Sequence, residues 1–171
     1  MKHLTSKIAI PVLYALALGS AHAQPPTAAP AHQAGCIELS TIAEQEKSVT
    51  AADGTVSKQI MPAERIVPGS EVIWTTTAHN VCKRPAEKVV IDQPVPEHML
   101  FVADSAIGGG TQIFLSVDGH DFKAARDLTV RNGDGSSRPA GAADVRVVRW
   151  ALDGAIAPQD SLSVRYRATV Q

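Results

Sequence analysis

Residues 161–170 of this 171-residue chain read "SLSVRYRATV", and this stretch decides the fold class. Apolar side chains occupy every second position, namely Leu162, Val164, Tyr166, Ala168 and Val170. The positions between them carry Ser163, Arg165, Arg167 and Thr169. Successive side chains of a β-strand point to opposite faces of its sheet. The alternation therefore predicts an antiparallel strand with one face buried and the other in water.

Segments of the same kind recur along the chain, as in "EVIWTTTAHN" (71–80), "TQIFLSVDG" (111–119) and "VRVVRWAL" (145–152). Nearer the N-terminus, Asp53-Gly54 is a strong signal for a hairpin turn between two strands. Pro94 and Pro96 are expected to end another strand at Asp92. "DFKAARDL" has room for one helical turn at most. Roughly eight or nine short strands separated by turns predict an all-β, antiparallel, two-sheet sandwich. Trp74 and Trp150 are then expected to be core anchors.

The N-terminus has the order of a secretory signal: Lys2 and Lys7, a short apolar run, and small residues at Ala21 and Ala23. This order predicts a signal peptide over 1–23. The Pro/Ala-rich composition of residues 24–35 predicts a flexible leader, and the length of the remainder predicts one domain over 36–171. Retention of the apolar run as a membrane anchor is the alternative. Without the two signal lysines, the chain has 14 basic and 17 acidic residues, a net charge of −3. That balance argues against nucleic-acid binding and against a polybasic membrane patch.

Five motifs, taken in order, give the chain a family resemblance: "PAERIVPGSEVIWTTTAHN" (62–80), "PAEKVVIDQPVPEHMLFVADSA" (85–106), "FLSVDG" (114–119), "RPAGAADVRVVRWAL" (138–152) and "APQDSLSVRYRATV" (157–170). Together they resemble the bacterial conserved-repeat domain, the domain-of-unknown-function family numbered eleven. The positions that match the family pattern are Pro68, Gly69, Trp74, Asn80, Pro85, Ala86, Asp92, Pro96, Ser105, Asp118, Gly119, Arg149, Trp150 and Pro158.

The resemblance covers about residues 37–170 and implies an immunoglobulin-like sandwich in an exported or envelope protein. It carries over no catalytic residue. The chain departs from the family pattern at two positions. The family usually has Asn-x-Gly where this chain has Asn80-Val81-Cys82, and it usually has a second glycine after Asp-Gly where this chain has His120. Family members are often arrays on large surface proteins, whereas a single domain is expected here, which argues against a giant-fibre role.

The two cysteines, Cys36 and Cys82, admit two interpretations. In an exported chain they are expected to pair as a disulfide. However, if residues 37–49, 56–66 and 71–80 form a simple meander, the two cysteines fall at opposite ends of the sheet. The pairing therefore stays open from the sequence alone.

Chemical sites are weakly indicated. A catalytic thiol at Cys82 would need a base such as His79 or His98, and nothing in the sequence fixes their geometry. The four histidines after residue 23 lie on separate segments, so no metal site or cofactor is predicted. "RNGDGSSR" and "VDGHD" lack the ligand series of a calcium loop and are interpreted as turns, with Asp118, His120 and Asp121 on the second.

Three arginines, Arg146, Arg165 and Arg167, are expected on one outer sheet face. They form either a solvated face or a patch for an anionic partner, such as a glycan or an envelope protein. The favoured hypothesis is a non-enzymatic exported module, periplasmic or on the cell surface, with a binding or structural role. The alternatives are a small exported enzyme or metal carrier that uses His79, Cys82 or His120, and self-association through an edge strand.

Overall fold

The computed structural model describes residues 35–171, and these residues form thirteen strands and two 3-10 helices. The first eight strands are β1 (Ile37–Thr50), β2 (Val56–Pro62), β3 (Glu71–Asn80), β4 (Ala86–Glu87), β5 (Val90–Pro94), β6 (Met99–Phe101), β7 (Ile107–Gly108) and β8 (Thr111–Ser116). After them come η1 (Ala125–Asp127), β9 (Thr129–Arg131), β10 (Ser137–Pro139), η2 (Ala142–Asp144), β11 (Val147–Leu152), β12 (Ala155–Ile156) and β13 (Ser161–Val170). The predicted signal peptide and all but the last residue of the predicted leader lie outside the described residues.

Two main sheets contain the long strands. The first has the order β2-β1-β3-β13-β6, with β7 also paired to β13, and the second has the order β5-β11-β8. The pairs β9–β10 and β4–β12 form two small ribbons. Every pairing is antiparallel. The prediction of an all-β, antiparallel, two-sheet fold is therefore confirmed.

The core lies between the two sheets. On β13, Val164, Tyr166 and Ala168 are buried, as their alternation predicts. Val148 and Trp150 face them from β11 of the second sheet, and the Trp150 and Tyr166 rings lie 6.3 Å apart between centroids. Burial raises the pKa of Tyr166, whose hydroxyl donates a 2.9 Å hydrogen bond to the Pro94 carbonyl on β5. One side chain thus fixes the spacing of the sheets by packing and by a hydrogen bond.

The last strand, β13, lies between β3 and β6 in the larger sheet and pairs with β3 over nine residues. The second sheet has β11 at its centre, with β5 and β8 at its edges.

One predicted boundary is wrong in detail, because β5 continues through Pro94 and does not end at Asp92. Pro94 lies opposite Val147 at the last pair of the ladder. Within residues 35–171, β5 is an edge strand with no partner strand on its other side, and a missing proline N–H is tolerated at such a position. The stop signal therefore acts two residues later than expected.

Trp150 offers a test of core packing. Trp150→Ala should lower the free energy of unfolding by about 3–5 kcal/mol, because the indole is 1% exposed and its removal leaves a large cavity. Trp150→Phe should cost less than about 2 kcal/mol, since the indole N–H has no hydrogen-bond partner to lose within residues 35–171. Urea denaturation followed by far-UV circular dichroism measures both values. Equal losses in the two variants would contradict this account of the site.

Candidate binding surface

A disulfide joins Cys36 and Cys82, with their Cα atoms 5.1 Å apart. It follows from the register of β1 and β3, which run antiparallel with Ile37 opposite Asn80. The two cysteines lie just beyond this pair, at the same end of the sheet. The expected disulfide is confirmed, and Cys82 has no free thiol that could act as a nucleophile.

The simple meander that left the pairing open is wrong. Both β2 and β3 run antiparallel to β1, on opposite sides of it, so residues 63–70 must cross from one side to the other. The crossing is held by a 3.3 Å hydrogen bond from the Gln45 side chain to the Arg65 carbonyl, and Gln45 is the one buried residue of β1. Gly69 and Ser70 then reach Val170 on β13, through backbone hydrogen bonds of 2.9 Å each.

Asn80 organises the loop beside the disulfide. Its side chain is fully buried and makes three hydrogen bonds. The amide nitrogen donates to the carbonyls of Arg84 and Ile156, both at 2.8 Å, and the amide oxygen accepts from the Cys82 N–H at 3.0 Å. The polar cluster of "HNVCKRP" is therefore a loop anchor. Asn80 is buried because its amide satisfies backbone groups that would otherwise be unpaired.

The other histidine and aspartate candidates lie apart. His79 is on β3 of the larger sheet, where its Nδ1 lies 3.0 Å from the Ser161 hydroxyl. His120 lies in the turn that follows β8 of the second sheet. Within the described range, no three His, Cys, Asp or Glu side chains are placed to hold a metal ion. The two histidines of the enzyme or metal-carrier alternative are therefore not brought into one cluster with a third such residue.

Asp118 closes a turn. Its Oδ1 accepts hydrogen bonds from the backbone N–H of His120 (2.8 Å) and Asp121 (3.0 Å) and from the Ser116 hydroxyl (2.9 Å). These donors hold the pKa of Asp118 at about 2, the His120 N–H having the largest effect. Gly119 has a φ of 80°, as such a turn requires. A carboxylate held ionised in this way organises a turn and is a poor proton donor near neutral pH.

Further residues of the family pattern also meet partners that stabilise the fold. Arg149 and Asp92 lie opposite each other on β11 and β5 and form two hydrogen bonds of 2.7 Å. The Arg149 guanidinium also lies 3.5 Å over the Phe122 ring. Ser105 bonds the carbonyls of Val102 and Arg167 through its hydroxyl.

The three arginines do not share one sheet face, which corrects the prediction. Arg165 and Arg167 point outward from β13 in the larger sheet, whereas Arg146 precedes β11 of the other sheet. Arg167 is ion-paired with Glu71 and Glu46. Its positive charge is therefore already compensated within the sheet, which weakens the hypothesis of a patch for an anionic glycan.

A hairpin extends from the larger sheet. Strand β1 pairs with β3 only as far as Glu44, and beyond that residue it pairs only with β2. We call residues 46–61 the β1–β2 arm. The predicted Asp53-Gly54 turn closes it, with Gly54 at a φ of 83° and the Thr55 N–H bonded to Asp53 Oδ1 at 2.9 Å. All seven residues of β2 are exposed, so neither face of this strand contributes to the core.

The outer edge of the arm carries backbone groups without a partner strand in the described structure. Residues opposite each other in an antiparallel ladder alternate between bonded and non-bonded pairs. The backbone bonds Ala63 N to Ala43 O and Ala51 N to Thr55 O identify the odd-numbered residues as the bonded ones. The N–H and C=O groups of Val56, Lys58 and Ile60 therefore point away from β1. Pro62, next in this series, has no N–H to leave unpaired.

Apolar side chains accompany these backbone groups. Val56 is 63% exposed, Ile60 45% and Met61 39%, and Val56 and Ile60 share one face with Lys58. Lys58 forms a 2.7 Å ion pair with Glu46, and this hydrogen bond lowers the pKa of Glu46. The arm thus combines a free strand edge, exposed apolar groups and one compensated charge. The Asp53-Gly54 signal predicted a hairpin here, but the sequence pattern of β2 does not reveal that both faces of the strand are exposed.

Comparisons with known proteins do not identify a family. No family model, no curated protein and no solved structure matches the chain. Among the described residues, no helix has the length and apolar character that a membrane crossing demands. The site is therefore assigned from its geometry alone.

Proposed function

We propose that this protein is a non-enzymatic module of the cell envelope that binds an extended segment of another protein by strand addition at β2. The observation that carries the proposal is the β1–β2 arm, where a seven-residue edge strand is exposed on both faces. An unpaired edge is a template for a further strand, and exposed apolar side chains beside it supply contacts for the partner.

Export is part of the proposal. A disulfide between Cys36 and Cys82 supports it, because such bonds persist in oxidising compartments and are rare in a reducing cytosol. The signal-like order of residues 1–23 points the same way. The resemblance to the conserved-repeat domain remains a proposal too, and it agrees with an envelope location.

The partner is proposed to be a different protein and not a second copy. Two β2 strands could pair antiparallel about a two-fold axis only if the residues with outward-facing backbone groups, Val56, Lys58 and Ile60, lay opposite residues of the same series in the other copy. A register centred on Lys58 places two lysines directly opposite each other, which is destabilising. Registers centred on Gln59 or Ile60 bring Pro62 into the ladder, where it removes hydrogen bonds. An unrelated strand can avoid both penalties, because it can carry a residue other than lysine opposite Lys58 and need not bring a proline into the ladder.

Ile60→Pro tests strand addition directly. A photo-cross-linking amino acid at Ser57 should give an adduct with a distinct protein in intact cells. Ile60→Pro should reduce that adduct at least about fivefold, because the ring removes an outward N–H and obstructs a partner strand. Ile60→Ala, which keeps the N–H, should retain more of the adduct than Ile60→Pro. The yield is measured by denaturing electrophoresis and the partner is identified by mass spectrometry.

Controls separate binding from folding. The urea midpoints of Ile60→Pro and Ile60→Ala should be close, since the Ile60 N–H makes no bond to β1. Gln59→Pro, by contrast, removes a bond within the arm and should loosen it. An adduct that contains only a second copy of this chain would replace the proposed partner with self-association. Equal yields from Ile60→Pro and Ile60→Ala, or no adduct at all, would overturn strand addition at β2.

A further inference from the structure

An apolar pocket of about 360 Å³ opens between the edges of the two sheets, and no residue of the β1–β2 arm lines it. Phe101 lines it from β6, at the edge of the larger sheet, and Ile113 and Leu115 line it from β8, at the edge of the smaller one. Small-molecule sites are usually clefts of about 300–1,000 Å³ with mostly apolar walls, so this pocket lies at the compact end of that range.

The floor of the pocket is part of the core, and its walls are formed by small side chains. Phe101, Leu115, Leu128 and Val145 are all less than 10% exposed. The walls carry alanines from η1, from η2 and from the loops beside them: Ala103, Ala106, Ala125, Ala140 and Ala142. Short side chains leave the space open, whereas longer ones would fill it. The shape is therefore a consequence of the sequence of these loops.

Hydrogen bonds hold the walls in place. Arg138 and Asp144 form two bonds, of 2.7 and 2.8 Å, and Asp144 also accepts the Gly141 N–H at 2.8 Å. The Ala140 N–H donates to the Leu128 carbonyl at 2.9 Å, which ties the two walls together. A pocket whose walls are fixed before binding loses little entropy when a ligand enters.

Asp104 is the one charged residue that lines the pocket. Asp104 is exposed to solvent, and its side chain forms no ion pair and no hydrogen bond within residues 35–171. It has a φ of 57°, in the left-handed region, which Asp adopts more readily than most other non-glycine residues. The neighbouring Ser105 anchors this loop, because its hydroxyl bonds the carbonyls of Val102 and Arg167 and accepts the Arg167 N–H.

We propose that this pocket binds a compact ligand with an apolar body and one cationic group, with the body on the Phe101–Leu115 floor and the cation beside Asp104. The alanine walls and the apolar floor select an aromatic or branched alkyl body of limited size. Because the Asp104 carboxylate is exposed to solvent, it should favour a cation over a neutral group, and a neutral group over an anion, by a modest factor at each step. This site is independent of strand addition at β2, and either proposal can fail without the other.

Three probes of one shape test the charge preference: 2-phenylethylammonium, 2-phenylethanol and 3-phenylpropionate. Each is titrated into the disulfide-bonded protein while backbone amide resonances are followed by NMR. The expected result is that the ammonium shifts the resonances of Ala106, Ala140 and Ala142. It should bind about threefold more tightly than the alcohol, and the propionate should bind most weakly.

Variants locate the site. Asp104→Asn should remove the preference for the ammonium over the alcohol. Asp127→Asn should leave the preference unchanged, because Asp127 is an exposed acid that is paired with Arg126 and does not line the pocket. Ala125→Trp should block the pocket and abolish the shifts for all three probes, and Ala103→Trp serves if that variant does not fold. Equal affinity of the three probes, no binding of any, an equal effect of Asp127→Asn, or binding that survives both tryptophan variants would overturn the proposal.

Discussion

Asn80→Asp is expected to lower the free energy of unfolding at pH 7 by about 3–5 kcal/mol, although the two side chains have nearly the same shape. The Asn80 amide nitrogen donates to two backbone carbonyls, those of Arg84 and Ile156. A carboxylate would place an acceptor against both, and the side chain is fully buried. Urea denaturation of the two proteins at pH 7 measures the difference.

The pH dependence of this loss distinguishes charge from shape. Burial against the two carbonyl oxygens raises the pKa of the new carboxyl in the folded state above its unfolded value of about 3.9, and the single N–H donor, that of Cys82, offsets this only in part. The loss relative to the unmodified protein should therefore be smallest near pH 3 and grow as the pH rises above about 4. Asn80→Ala is the control: it loses all three hydrogen bonds of the side chain but adds no charge, so its loss should not follow this curve. An Asn80→Asp protein as stable as the original at pH 7 would contradict the assigned role of Asn80.

The double variant Cys36→Ala/Cys82→Ala is expected to lose up to about 4 kcal/mol of stability. The bond closes a loop with a sequence separation of 46 residues, and removing it restores conformational freedom mainly to the unfolded chain. Urea unfolding of the oxidised protein and of the double variant gives the difference in free energy.

The reduced form of the unmodified protein provides a second measure of the disulfide. It should unfold at nearly the urea midpoint of the double variant, because both lack the cross-link. The single variants Cys36→Ala and Cys82→Ala should both have this same urea midpoint, since either substitution removes the disulfide. A double variant with the midpoint of the oxidised protein would show that the cross-link contributes nothing to stability.

The fold class could be predicted because the alternation of apolar and polar residues along a strand shows which face of the strand is buried. The period of two over residues 161–170 correctly places Val164, Tyr166 and Ala168 in the core. The hairpin at Asp53-Gly54 was likewise predictable, since its turn needs a residue with positive φ. These features depend on neighbours in sequence, which a pattern can show.

Features that depend on distant contacts could not be predicted. The path of residues 63–70 across β1 brings Cys36 and Cys82 together, yet no local pattern specifies it. The separation of Arg146 from Arg165 likewise depends on which strand pairs with which. The pocket at Asp104 was missed because its walls come from loops that meet only in the folded chain. Its one sequence signal is an excess of alanine around residues 103–106 and 140–143.

The larger sheet is wider than the smaller one, and this difference in width has a consequence for how the protein can evolve. Leu39 on β1 is 56% exposed and β2 is exposed throughout, so the overhanging edge contributes little to the core. Substitutions along this overhang should therefore leave the melting temperature almost unchanged. Under the proposed strand addition, the chain could acquire, exchange or abandon a binding partner by mutation there without endangering its folding.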